Sequence, residues 1–164
     1  MNSTGYTKAT LLQRQLCIAV VDDDEDDRSF ISSAFYANGN QFKVVEYEDG
    51  EHFLDAMIAG ENSRKIAENC ALIILDINMH KLNGLEVLDR VKAQAALRHI
   101  PVVMFSTSTD RELVYSAYTR GASSYVQKPN RMEGYKQIVQ SLQTCFLSLP
   151  CVRTVEVNRI NPVR

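Results

Sequence analysis

Residues 71–79 constrain the fold of this chain more than any other stretch. Leu72, Ile73, Ile74 and Leu75 are consecutive large apolar residues, and the run closes on Asp76. A half-solvated strand would alternate apolar with polar positions; an unbroken run fits a strand covered on both faces, as the central strands of parallel sheets are. Asn78, Asn83 and Gly84 supply turn chemistry beyond it, and a helical pattern starts at Leu85. Asp76 therefore stands at the carboxyl edge of its strand, the edge at which open α/β sheets bind ligands.

The rest of the chain repeats this arrangement. Residues 16–21 form an apolar run that ends in Asp22, Asp23, Asp24, Glu25, Asp26 and Asp27. Phe30, Ile31, Ala34 and Phe35 follow at helical spacing, and Asn38 with Gly39 supplies a stop. Residues 42–47 read as a strand, and Asp49 with Gly50 turns it into a helix carrying Phe53, Leu54, Met57 and Ile58. Residues 60–69 are polar and read as a loop. Beyond the central run come a helix spaced by Leu85, Leu88 and Val91, a strand over 101–105 closing on Ser106, and a helix with Leu113, Val114, Ala117 and Tyr118 stopped by Gly121. A strand over 124–127 then precedes Lys128 and Pro129, and a last helix carries Tyr135, Ile138, Val139, Leu142, Cys145 and Phe146. Five strands alternating with five helices specify an α/β fold with a doubly wound, five-stranded parallel sheet. The expected division is an N-terminal extension over 1–15, one domain over 16–149 and a C-terminal tail over 150–164.

Composition excludes several classes. Eighteen basic and twenty acidic residues leave a net charge of −2, so no general basic field draws the chain to nucleic acid or to anionic lipid. No apolar run approaches the roughly 20 residues that cross a bilayer, and the first residues are polar rather than arranged as a signal peptide, so a cytoplasmic location without membrane insertion is expected. Cys17, Cys70, Cys145 and Cys151 lack Cys-x-x-Cys spacing and read as reduced structural thiols. His52, His80 and His99 show no ligand spacing. An EF-hand is excluded as well, because counting from Asp22 puts Asp27 and Ser33 where that loop needs Gly and Glu.

In a doubly wound sheet the polar groups that close the strands meet at one edge. Those groups are Asp22 and Asp23, then Asp76, Ser106 and Lys128. Three gathered carboxylates repel one another unless a cation joins them. A hard divalent ion suits them, and Mg²⁺ binds through one or two carboxylates while keeping waters or phosphate oxygens as its other ligands. Lys128 and the Ser106 hydroxyl would then neutralise and orient a phosphoryl group on Asp76. Asp24 to Asp27 read differently, as a capped and solvated helix start, and Thr109 as the cap of a later helix.

These residues, in this order, resemble the receiver domain of two-component response regulators. The resemblance covers roughly residues 16–147 and rests on Val20, Val21, Asp22 and Asp23, on residues 75–79 around Asp76, on Gly84 and Ser106, on Gly121 with Ala122, and on residues 125–129. It implies the flavodoxin-like receiver fold with strand order 2-1-3-4-5. It implies further that Asp76 is the phosphoacceptor, supplied by a sensor histidine kinase or a histidine phosphotransfer protein. Asp22 and Asp23 would hold Mg²⁺ with Asp76 and the backbone carbonyl of Asn78. Ser106 and Tyr125 would be the switch pair, and Lys128 the lysine before a proline whose peptide bond is often cis in the family. Residues 24–28 and 106–108 are most similar to small stand-alone regulators that partner cyanobacterial phytochromes. Such a chain would be a phosphoacceptor rather than an enzyme, signalling to another protein; separately, Val155 and Val157 alternate with polar residues, from which the tail at 150–164 is expected to pack across a homodimer partner. The family usually has Pro where His80 stands, so a less rigid loop after Asp76 is expected, and where Thr107 stands it has a small residue, often Ala, that lets donors and water approach.

The rival among enzymes is a phosphatase of the haloacid-dehalogenase type, which also combines an aspartate nucleophile, a hydroxyl residue, a lysine and Mg²⁺. It needs a second Asp two residues after the nucleophile, and this chain has Asn78 there, which cannot protonate a leaving group. The other alternative is a receiver-like adaptor that binds partners without phosphorylation.

Overall fold

The computed structural model describes residues 15–39 and 42–148. Five parallel strands, β1 (Cys17–Val21), β2 (Lys43–Tyr47), β3 (Cys70–Asp76), β4 (Val102–Ser106) and β5 (Ser124–Gln127), lie in the order β2-β1-β3-β4-β5. The helices are α1 (Glu25–Ala37), α2 (Gly50–Leu54), α3 (Ser63–Asn69), α4 (Gly84–Ala93), α5 (Arg111–Thr119) and α6 (Met132–Leu142). Helix α2 continues into a π-helical turn over Asp55–Ala59, and α6 into another over Gln143–Leu147. No helix among the described residues is long and apolar enough to cross a membrane.

The two-residue period of the strands divides the apolar residues into two cores. Ile18, Val20, Leu72, Ile74, Val103 and Phe105 face α1 and α6, where Ile31, Ala34, Phe35, Tyr135 and Val139 cover them. Ala19, Val21, Ile73, Leu75, Val102 and Met104 face the other way, against Phe53, Met57, Val87, Leu88, Val91 and Ala117. Every residue of β1, β3 and β4 is buried, as the unbroken runs require.

The expected loop at 60–69 is in part a helix. Helix α3 has only Ile66 and Ala67 against the core, and Arg64 pairs with Glu68 one turn on at 3.0 Å. Two apolar neighbours make no period, which hid the helix; tertiary contact with Ala67, 3% exposed, holds it. Helix α5 is capped by Asp110, whose side chain accepts the N–H of Glu112, and not by Thr109. Asp24 caps α1 by accepting from Asp26, as expected. The tail at 150–164, residues 1–14 and Cys151 lie outside the described residues, while Cys17, Cys70 and Cys145 form no disulfide among those described.

Candidate functional site

The carboxyl ends of β1 and β3 lie side by side, because Val21 is in register with Leu75 and the next residue of each strand is an aspartate. Asp22 is 1% exposed and Asp76 3%. With Asp23 they form a group in which one oxygen from each carboxylate lies within 4.8 Å of the others. Local bonds fix the group: Arg28 donates Nη1 to the Asp22 carbonyl at 2.7 Å, and Asp24 donates its N–H to Asp22 Oδ1 at 3.0 Å. Gly84 crosses so close behind Asp76 that a Cβ there would stand 2.0 Å from the Asp76 carbonyl oxygen. The turn after the strand needs glycine for this approach of backbone to backbone.

Lys128 arrives from the end of β5, where its N–H donates to the Ser106 carbonyl at 2.8 Å. Its side chain is 9% exposed, and Nζ meets Asp22 Oδ2 at 2.8 Å, Asp27 Oδ2 at 2.8 Å and Asp76 Oδ1 at 3.2 Å. Burial disfavours the ammonium, but the hydrogen bonds to Asp22 and Asp27 outweigh it and hold Lys128 above the ordinary lysine range. Burial pushes Asp22 up to about 6, against the pull of Lys128 and with the repulsion of Asp76 added. Asp76 is raised for the same first reason, Lys128 again opposing. One ammonium does not neutralise this cluster, and the surplus buried negative charge on hard oxygen donors fits a divalent cation.

Ser106 is fully buried, and its Oγ accepts the Ser108 N–H at 3.2 Å and the Asn78 side-chain amide at 3.5 Å. Tyr125 donates its hydroxyl to the Ser108 carbonyl at 2.9 Å. Ser108 therefore joins Ser106 to Tyr125. At the mouth of the pocket His80 donates its main-chain N–H to Asp23 Oδ2 at 3.0 Å and brings ring Nδ1 to the same oxygen. Burial would raise Asp23, but the His80 bonds prevail and lower it.

A family model for the response regulator receiver domain matches residues 18–140. This chain belongs to the response regulator receiver family. Over 147 residues it is 30% identical to a probable methanogenesis regulatory protein, FilR2, of Methanothrix harundinacea, covering 88% of this chain and 94% of that one. It is 25% identical to the response regulator Rcp1 of Synechocystis, over 79% of this chain and 88% of that one. Among solved structures it is similar to the phosphorylated cyanobacterial phytochrome response regulator RcpA. The TM-score is 0.76 at 27% identity, with 85% of this chain and 99% of RcpA covered. The five strands in the order 2-1-3-4-5, with helices on both faces, are the flavodoxin-like receiver fold.

The receiver fold brings together every residue singled out from the strand ends. Membership of the family displaces the phosphatase of the haloacid-dehalogenase type. Three features differ from the sequence reading. Asp27 is not a solvated cap: its side chain is 18% exposed, and it binds Lys128 and accepts the Tyr135 hydroxyl. The loop after Asp76 carries two ties that were not read, His80 on Asp23 and Lys81 Nζ on Asp49 Oδ2 at 2.8 Å. The bond between Lys128 and Pro129 is trans, since no cis peptide occurs among the described residues. Asp27, Tyr135 and His80 were missed because their roles depend on distant partners: Asp27 and Lys128 are 101 residues apart. The one available signal was the excess of acidic residues at 22–27 over what a helix start needs.

Proposed function

We propose that this receiver takes a phosphoryl group on Asp76 from a sensor histidine kinase or a histidine phosphotransfer protein and signals by a conformational change to a partner protein. The P–N bond of the donor breaks as a P–O bond to an Asp76 carboxylate oxygen forms. The observation that carries this reading is Lys128 Nζ, held 3.2 Å from Asp76 Oδ1 within a buried acidic pocket. A buried cation beside one carboxylate of such a group offers charge to an arriving phosphoryl oxygen. Asp22, Asp23, Asp76 and the Asn78 carbonyl would hold Mg²⁺, which would supply the positive charge that lets a phosphoryl group approach the carboxylates.

Ser106 and Tyr125 act as the switch. Drawing Ser106 Oγ toward the phosphoryl group costs its bond to the Ser108 N–H, and Ser108 also carries the acceptor for Tyr125. The loop after β4 and the ring on β5 therefore shift together, which alters the surface of α5 and β5. In this reading the chain works in the cytoplasm as a phosphoacceptor. It turns over no substrate beyond loss of its own phosphoryl group.

Intact mass after incubation with acetyl phosphate tests this, with and without Mg²⁺, on the natural chain and on Asp76→Asn. A Mg²⁺-dependent gain of one phosphoryl group, absent from the variant, is expected. Equal labelling of Asp76→Asn overturns the assignment, and no labelling of the natural chain favours an adaptor that binds without phosphorylation.

A further inference from the structure

We propose that Asp27 and Tyr135 form a second readout of the acidic pocket, competing with Asp76 for Lys128 and carrying the displacement of Lys128 to the aromatic residue Phe30 on α1. The inference rests on the reading of Asp76 as phosphoacceptor and names a regulatory route from that same site.

An ammonium has three donors, and Lys128 has three carboxylates in contact. A phosphoryl group on Asp76 brings oxygens that bind Lys128 more strongly than the carboxylate oxygen now 3.2 Å away, and drawing Nζ toward them lengthens one of its two contacts at 2.8 Å. Asp22 is the less yielding of the two at 2.8 Å: it is almost wholly buried and bonded to its own main-chain neighbours. Asp27 lies on the first turns of α1, is partly open to solvent, and keeps the Tyr135 hydroxyl as a second partner. Asp27 is therefore the carboxylate that releases Lys128.

Tyr135 registers that release. Its hydroxyl binds the other Asp27 oxygen. Its ring is packed against Phe105, the residue before Ser106, with centroids 5.9 Å apart, and against Phe30 at 5.3 Å. Phe30 is 40% exposed. A change at Lys128 thus passes through two polar contacts and one ring contact to the surface formed by α1 and α6. That surface lies on the opposite face of the sheet from α5. Coupling through discrete contacts of this kind is the physical content of such a route.

The test uses the whole 164-residue chain labelled with 3-fluorotyrosine at its seven tyrosines, observed by fluorine NMR. Tyr135→Phe and Tyr125→Phe assign the two signals. Beryllofluoride with Mg²⁺ stands in for the phosphoryl group. The Tyr135 signal is expected to move on saturation along with that of Tyr125. Asp27→Asn keeps an acceptor for the Tyr135 hydroxyl but removes the competing charge. It should bind beryllofluoride about fivefold more tightly, the lower end of typical coupling between sites, and show a smaller Tyr135 shift. A Tyr135 signal that stays still while Tyr125 moves overturns the route and leaves the reading of Asp76 as phosphoacceptor standing. Unchanged affinity in folded Asp27→Asn overturns it likewise, and should that variant not fold, the shift in the natural chain decides alone. Beryllofluoride and Mg²⁺ that neither move the Tyr125 signal nor raise thermal stability overturn the reading of Asp76 as phosphoacceptor and this inference together.

Discussion

His80 binds Asp23 twice, through its main-chain N–H and through its ring Nδ1, both to the same carboxylate oxygen. A proline at this position would have neither bond, because it lacks the N–H and the imidazole. The ring is 93% exposed, so its contact is a surface interaction that competes weakly with a cation for Asp23.

His80→Ala keeps the main-chain bond and removes the competing ring. Mg²⁺ binding, measured by titration calorimetry, is expected to tighten by about two- to fivefold, the range a surface pair allows. Weaker binding in His80→Ala would instead make the ring a support that holds Asp23 in place for the cation.

Gly84→Ala drives a Cβ into the Asp76 carbonyl at 2.0 Å and the Ile77 Cα at 2.8 Å, both backbone atoms that cannot turn aside. We expect a loss of about 3 kcal/mol in urea denaturation, the upper end for overpacked sites, because the strand end itself must move. A loss below about 0.5 kcal/mol would contradict the close approach.

In the metal-free chain Asp22 titrates at about 6 against an ordinary 3.8, so the folded state binds this proton more tightly than the unfolded one. Its contribution favours folding below about 3.8 and is lost as pH rises through about 6. At pH 7 with a chelator present, Asp22→Asn should therefore be more stable than the natural chain by about 1–2 kcal/mol, the shift being already net of the pair with Lys128 and reduced by solvent screening. The gap should shrink at pH 5, and Mg²⁺ should stabilise the natural chain far more than the variant. A variant less stable at pH 7 would mean that the Lys128 pair outweighs the cost of burying the carboxylate.

Tyr125→Phe deletes only the hydroxyl that binds the Ser108 carbonyl. A stability loss of about 1 kcal/mol is expected, the usual worth of one hydrogen bond. Hydrogen exchange over residues 107–110 should become faster, and unaltered exchange there would show that Tyr125 does not hold this loop.

The strands and the acidic edge were legible without coordinates because they depend on local, directional facts. An unbroken apolar run has one stable place, inside a sheet covered on both faces, and the polar residue that ends it must lie at the sheet edge. Asp22, Asp23, Asp76, Ser106 and Lys128 were readable on that ground. Helix α3 was not, since Ile66 and Ala67 alone carry no period and its stability comes from what they touch.

Sequence alone determined a parallel sheet of five strands, its two apolar faces and the convergence of three aspartates with Lys128, because alternation and chain punctuation act over a few residues at a time. Tertiary structure decided which acidic residue shares Lys128, which hydroxyl binds Asp27 and how His80 meets Asp23. Asp27 is one acid in a run of six, and nothing nearby in the chain distinguishes it from Asp26. Only the packing of α1 and α6 on the same face of the sheet turns Asp27 toward Lys128 and Tyr135, and the bonds it makes there, not its position in the run, give it a part in the site.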